Sequence, residues 1–116
     1  MYGVPDDLDL SAVVGEFTTQ IRVGQFDLQF TFGTVDFAVS SPVSVLQDGR
    51  VVAQWSEGRW PDARFFDVMN CTVLRCSSDS KGIRIELENG LSLKLVDDSD
   101  RYESMKITVG EDLWIV

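Results

Sequence analysis

Two stretches of the chain carry the same alternating pattern, and that repetition limits the fold more than any other feature. LQFTFGTVDFAV, Leu28 to Val39, alternates apolar and polar residues, pauses at Gly33-Thr34, and alternates again. Successive side chains of a strand point to opposite faces, so this pattern predicts a β-hairpin with one buried face. IRIELENGLSLKL, Ile83 to Leu95, repeats it around Glu88-Asn89-Gly90, a turn one residue longer. The apolar positions pair as Leu28 with Ile83, Phe30 with Ile85, Phe32 with Leu87, Val35 with Leu91, Phe37 with Leu93 and Val39 with Leu95.

The flanking segments repeat as well. Asp7 to Gly15 reads as a short helix or helical turn, with spaced Leu10, Val13 and Val14 and a closing glycine. Asp62 to Asn70 matches it at an offset of 55, with Phe65, Val68 and Met69 at the apolar positions and Asn70 in place of Gly15. Phe17 to Val23 alternates as a half-buried strand with Phe17, Thr19, Ile21 and Val23 on the inward face, and Cys71 to Ser78 is its counterpart. Phe26 continues the inward face of Leu28, Phe30 and Phe32. Asp48-Gly49 and Gly110-Glu111 each close a further hairpin.

The expected fold is therefore mainly β with a minor helical part. It is an antiparallel β-sandwich or partly closed β-barrel made of two pseudo-repeated halves, each a short helix plus about five strands. One domain spans residues 1–116, with halves at about 7–55 and 62–116. A length of 116 residues with 44% apolar composition suits one such core.

Charge narrows the partners. Nineteen acidic residues against ten basic ones give −9, a field that repels nucleic-acid phosphates and anionic membrane surfaces and steers a basic protein partner. No apolar run approaches the ~20 residues of a membrane helix, and MYGVPDDLDL has neither the basic nor the apolar region of a signal peptide. The expected location is the cytoplasm. Cys71 and Cys76, five apart, fall on opposite faces of a strand and are read as reduced thiols, with Cys76 packed inward.

The chain has no histidine, the commonest general base, and no phosphate-loop, dinucleotide or zinc spacing. This points to no cofactor, no metal and no enzyme. A carboxylate-only reaction through Asp67, Glu86 or Asp97 is the remaining catalytic alternative. Asp6, Asp7 and Asp9 sit where a helix start favours carboxylates. Asp97 to Glu103 is the densest acidic loop, a solvated turn or a docking patch rather than a calcium loop, since it lacks the spaced ligands and glycine.

Trp55-Ser56-Glu57-Gly58-Arg59-Trp60 places two indoles and a guanidinium in a turn-rich connector, the residue types enriched at binding hot spots. The alternative is that both indoles cover the core, with Arg59 stacked on one. Candidate partner-binding residues are Trp55, Glu57, Arg59, Trp60, Asp97, Asp98 and Asp100. The apolar end Asp112 to Val116 is a strand tied into the sheet or left at an edge, so the expected state is a monomer or an edge-paired homodimer.

The opening Met1-Tyr2-Gly3-Val4-Pro5-Asp6-Asp7, running to Val14-Gly15, resembles the start of a family of small uncharacterised bacterial proteins. Asp97 to Ser104, with its Tyr102-Glu103-Ser104, resembles that family's tail, although Met105 follows where the family carries an aromatic. The resemblance implies a bacterial, cytosolic, single-domain protein and brings no activity with it. Beside it stands a physical reading of Tyr102-Glu103-Ser104 as residues that pin the acidic loop. The expected function is a non-catalytic, acidic interaction protein for a basic partner, in the manner of an immunity or accessory protein. A small-ligand-binding β module is the second reading.

Overall fold

The computed structural model describes residues 4–97 and 104–116. Asp98, Asp100, Tyr102 and Glu103 lie outside them. Among the described residues ten antiparallel strands form: β1 Thr18–Val23, β2 Leu28–Phe32, β3 Val35–Val39, β4 Val43–Gln47, β5 Arg50–Trp55, β6 Val73–Asp79, β7 Gly82–Leu87, β8 Leu91–Val96, β9 Met105–Val109 and β10 Asp112–Ile115. They make two five-stranded sheets, ordered β1-β2-β3-β9-β10 and β5-β4-β8-β7-β6. The sheets pack as a sandwich and do not close into a barrel.

The order shows what the halves do with their strands. Each half keeps its first three strands in one sheet and sends its last hairpin to the other. β9 pairs with β3 through Phe37 opposite Ile107, and β4 pairs with β8 through Val45 opposite Leu93. The halves are thus interlocked rather than stacked. An inward apolar stripe on every central strand then faces its like across the sandwich.

Backbone geometry repeats at the offset of 55. Both first strands carry a bulge at equivalent places, between Thr18 and Gln20 and between Val73 and Arg75. The bridge Phe17–Thr72 joins equivalent residues, and four hydrogen bonds around it form two equivalent pairs. Gly15 N–H donates to Val73 O at 2.9 Å and Asn70 N–H to Thr18 O at 2.8 Å. Val73 N–H donates to Glu16 O at 2.8 Å and Thr18 N–H to Cys71 O at 3.1 Å. A local twofold axis therefore passes through that bridge, where the two sheets meet at one corner. Gly15 and Asn70 hold φ of +88° and +61°, the left-handed turn that Gly tolerates best and Asn next.

The helical pieces are 3-10 turns, Ser11–Val13 and Ala63–Val68, with no side-chain cap on either. They are too short to stand alone. Each holds by burying Leu10 and Val13, or Phe65 and Val68, under the sheets. Asp9 does not cap a helix. Its Oδ1 accepts from Ser11 N–H at 2.9 Å, and that bond holds its carboxyl below the usual range.

The core includes all the paired positions of the two hairpins, every one of them at most 3% exposed, together with residues such as Val43, Val45, Trp55, Phe65 and Ile107. Phe30 stacks on Phe32 with ring centroids 6.4 Å apart and meets Phe65 at 6.5 Å; Phe32 meets Phe37 edge-on at 5.8 Å.

The first strand departs from expectation. Phe17 and Val23 are exposed, Ile21 is half-buried, and Thr18 is buried. The bulge inserts one residue and breaks the alternation there, so a strict period of two misplaces that strand's inward face. Phe26 also leaves the core, because it lies in the turn between β1 and β2, not in β2.

Thr18 carries a consequence for stability. It is 1% exposed, and its Oγ1 finds no hydrogen-bond partner among the described residues. Its equivalent in the other half is Val73, equally buried. An unpaired buried hydroxyl costs about 1–3 kcal/mol, so Thr18→Val is expected to stabilise by about 1 kcal/mol, read as a higher denaturant midpoint at unchanged slope. A lower midpoint overturns this account of Thr18.

Candidate functional site

The connector between β5 and the second 3-10 turn, residues 56–62, forms a ridge at one end of the sandwich. Three hydrogen bonds hold it, two through its backbone and one through a side chain. Arg59 N–H donates to Ser56 O at 3.2 Å, closing a turn with Gly58 at φ +81°, where a side chain is disfavoured. Gly58 N–H donates to Gln25 O at 3.0 Å, tying the ridge to the β1–β2 turn. Asp62 Oδ2 accepts from Gln54 N–H at 3.0 Å and so occupies a free donor on the edge strand β5.

On this pinned backbone Trp60 is 82% exposed. Phe26, on the tied turn, is 60% exposed. Two hollows flank the indole. One of about 200 Å³ is lined by Pro42, Gln54 and Trp55 with Arg59 and Trp60. The other, of about 250 Å³, runs between Val23, Gln25, Gly58 and Trp60.

Comparison with the core isolates the indole. Trp55, at the end of β5, is buried at 2%, while Trp60 stands in solvent and outside the core cluster, so packing does not explain it.

The other expected site residues divide. Glu57 and Arg59 are exposed beside Trp60, and neither makes an ion pair among the described residues. Trp55 is a correction: it is 2% exposed and belongs to the core, because it faces inward opposite Val43. The described aromatic contacts join phenylalanines, so Arg59 does not stack on an indole among them. Asp97 is half-buried at the end of β8, where its Oδ1 accepts from Ser104 Oγ at 2.8 Å. It therefore holds the base of the acidic loop. Asp98 and Asp100 fall outside the described residues.

Alternation places Phe26 in the core, where the structure does not. Gly24, which breaks β1 just before it, was the available signal that the residues after it form a turn.

The carboxylates of the catalytic alternative are engaged by different groups. Asp67 pairs with Arg64 at 2.8 Å, Glu86 lies between Arg75 at 3.6 Å and Arg84 at 3.8 Å, and Asp97 bonds Ser104. Among the described residues no three His, Cys, Asp or Glu side chains gather as metal ligands.

Both cysteines are free thiols; Cys76, half-buried on the edge strand β6, packs inward against the core opposite Ile85, and Cys71 is buried as well. The β6 bulge shifts the alternation between them. Burial, then the charges of Glu88 and Asp67, pushes the Cys71 thiol up, and burial alone pushes Cys76 up to about 12. Thiols so raised are poor nucleophiles at neutral pH.

No family model, curated protein or solved structure matches the chain. Among the described residues no helix is long and apolar enough to cross a membrane.

Proposed function

We propose that the protein is a non-catalytic, cytosolic interaction module that binds a basic protein through the Trp60 ridge, as an accessory or immunity-like factor does. The observation that carries this is the exposed indole on a connector held by three hydrogen bonds. A rigid aromatic loses little entropy on binding, and Trp and Arg are the types most enriched at the centres of interfaces. Charge supports the choice of partner. A chain at −9 attracts a basic protein at long range, and Glu57, Asp27 and Asp62 lie in or beside the ridge and its tied turn. A ligand pocket between the halves has less support, because the facing side chains of the two sheets are buried against one another.

The test is affinity capture on the immobilised protein, identification of the bound chain, and association rates across a salt series. The expected partner is basic, and its association rate falls at least about tenfold between ~20 and ~500 mM salt, as screening shortens the reach of the charges. An acidic partner, or a rate indifferent to salt, refutes the proposal.

A further inference from the structure

The outer face of the second sheet collects positive charge in an acidic chain. Arg84 on β7 lies directly opposite Lys94 on β8, and both side chains are exposed. Lys81, in the β6–β7 turn, joins them around a hollow of about 400 Å³ that Ser77, Leu46 and one acidic residue, Asp79, also line. Like charges directly opposite on one sheet face destabilise it. The nearby carboxylates relieve this pair only in part, through Glu86 beside Arg84. Asp79 Oδ1 accepts from Lys81 backbone N–H at 2.8 Å, Asp97 Oδ1 accepts from Ser104, and Glu86 is shared between Arg75 and Arg84 at 3.6 and 3.8 Å. Among the described residues neither Lys81 nor Lys94 has an ion-pair partner.

The first sheet shows that the fold does not require this arrangement. The positions equivalent to Arg84 and Lys94 are Gln29 and Ala38, also paired across strands but neutral. Arg22, on that face, is enclosed by Gln29 at 2.8 Å, Gln20 at 2.6 Å, Thr31 at 3.0 Å and Asp36 at 3.2 Å. Arg22 is thus held in a polar network, while the second sheet's outer face gathers three cations around one hollow.

We propose that this hollow binds a compact oxyanion of the size of phosphate, carried by a small ligand, with the Arg84 guanidinium and the Lys94 and Lys81 ammonium groups as its donors. A guanidinium offers two parallel N–H groups to such a group, and flanking ammonium groups add point charges. A long polyanion is disfavoured by the charge of the rest of the chain. The site is separate from the Trp60 ridge, so its failure leaves that reading standing.

Titration of inorganic phosphate into the full chain, at constant ionic strength set by chloride and followed by backbone amide shifts, tests it. Saturable shifts at Ser77, Lys81 to Arg84 and Lys94 are expected in the millimolar range. Lys94→Gln and Arg84→Gln are each expected to weaken binding roughly tenfold, the effect of one charge-assisted contact. Lys94→Gln should also unfold at the same or higher denaturant than the parent in phosphate-free buffer, since it removes a like-charge contact and no ion pair. Lys106→Gln, on the other sheet's outer face, should leave phosphate binding unchanged. Shifts that do not saturate or that map elsewhere overturn the proposal. So does undiminished binding in both variants of the pair, an equal loss in Lys106→Gln, or a short oligonucleotide that displaces phosphate at lower concentration.

Discussion

Phe30→Ala is expected to destabilise the protein by about 3–5 kcal/mol, and its equivalent Ile85→Ala by about 2–5 kcal/mol. Both side chains are fully buried, on the same inward stripe of equivalent strands. Phe30 stands opposite Ile21 on one side and Phe37 on the other, and its ring reaches Phe65 on the 3-10 turn of the other half. Removing the ring therefore opens space between a central strand and a turn that the rest of the fold fixes in place. Those walls collapse little, and incomplete collapse is what takes such substitutions to the top of their range. Ile85 is smaller, between Cys76 and Leu93, and its loss leaves a smaller void. Denaturant midpoints of the two variants check this, with the slope unchanged. A loss below about 1 kcal/mol at either position would mean that it is not a core position, and the two-half architecture would fall with it.

The equivalence of Phe30 and Ile85 was legible because it is local. Alternation over a hairpin fixes which residues share a face, and turn chemistry at Gly33-Thr34 and Glu88-Asn89-Gly90 fixes the register. The inward face of β1 was not legible. The bulge at Thr18–Gln20 is set by the pairing around Phe17–Thr72, a contact between residues 55 apart in the chain. The exchange of hairpins was hidden for the same reason: Val35 to Val39 matches β9 as well as any other alternating strand, and only the packed fold selects the partner. At the site, composition singled out Trp55 and Trp60 equally. Their separation into a core residue and an exposed one follows from where β5 ends, one residue before the turn begins. The Arg84–Lys94 pair needed the cross-strand register, since the two residues are ten apart and nothing in either segment alone sets them side by side.

Trp60→Ala is expected to separate binding from folding. The side chain is 82% exposed, so the substitution should change stability by less than about 0.5 kcal/mol, as surface substitutions do. Against the captured basic partner it should cost about 2–4 kcal/mol, the size of a central aromatic hot spot, and appear chiefly as faster dissociation. Glu57→Gln, a charge at the rim of the same ridge, should instead slow association and reduce its salt dependence while leaving dissociation nearly unchanged. The pair of variants thus divides the two contributions assigned to the ridge: the indole for residence on the partner, the carboxylates for encounter. Unfolding of Trp60→Ala at markedly lower denaturant would return the indole to a packing role. Unchanged partner dissociation would move the interface elsewhere on the molecule, because no other residue of the ridge offers comparable apolar area at so fixed a position.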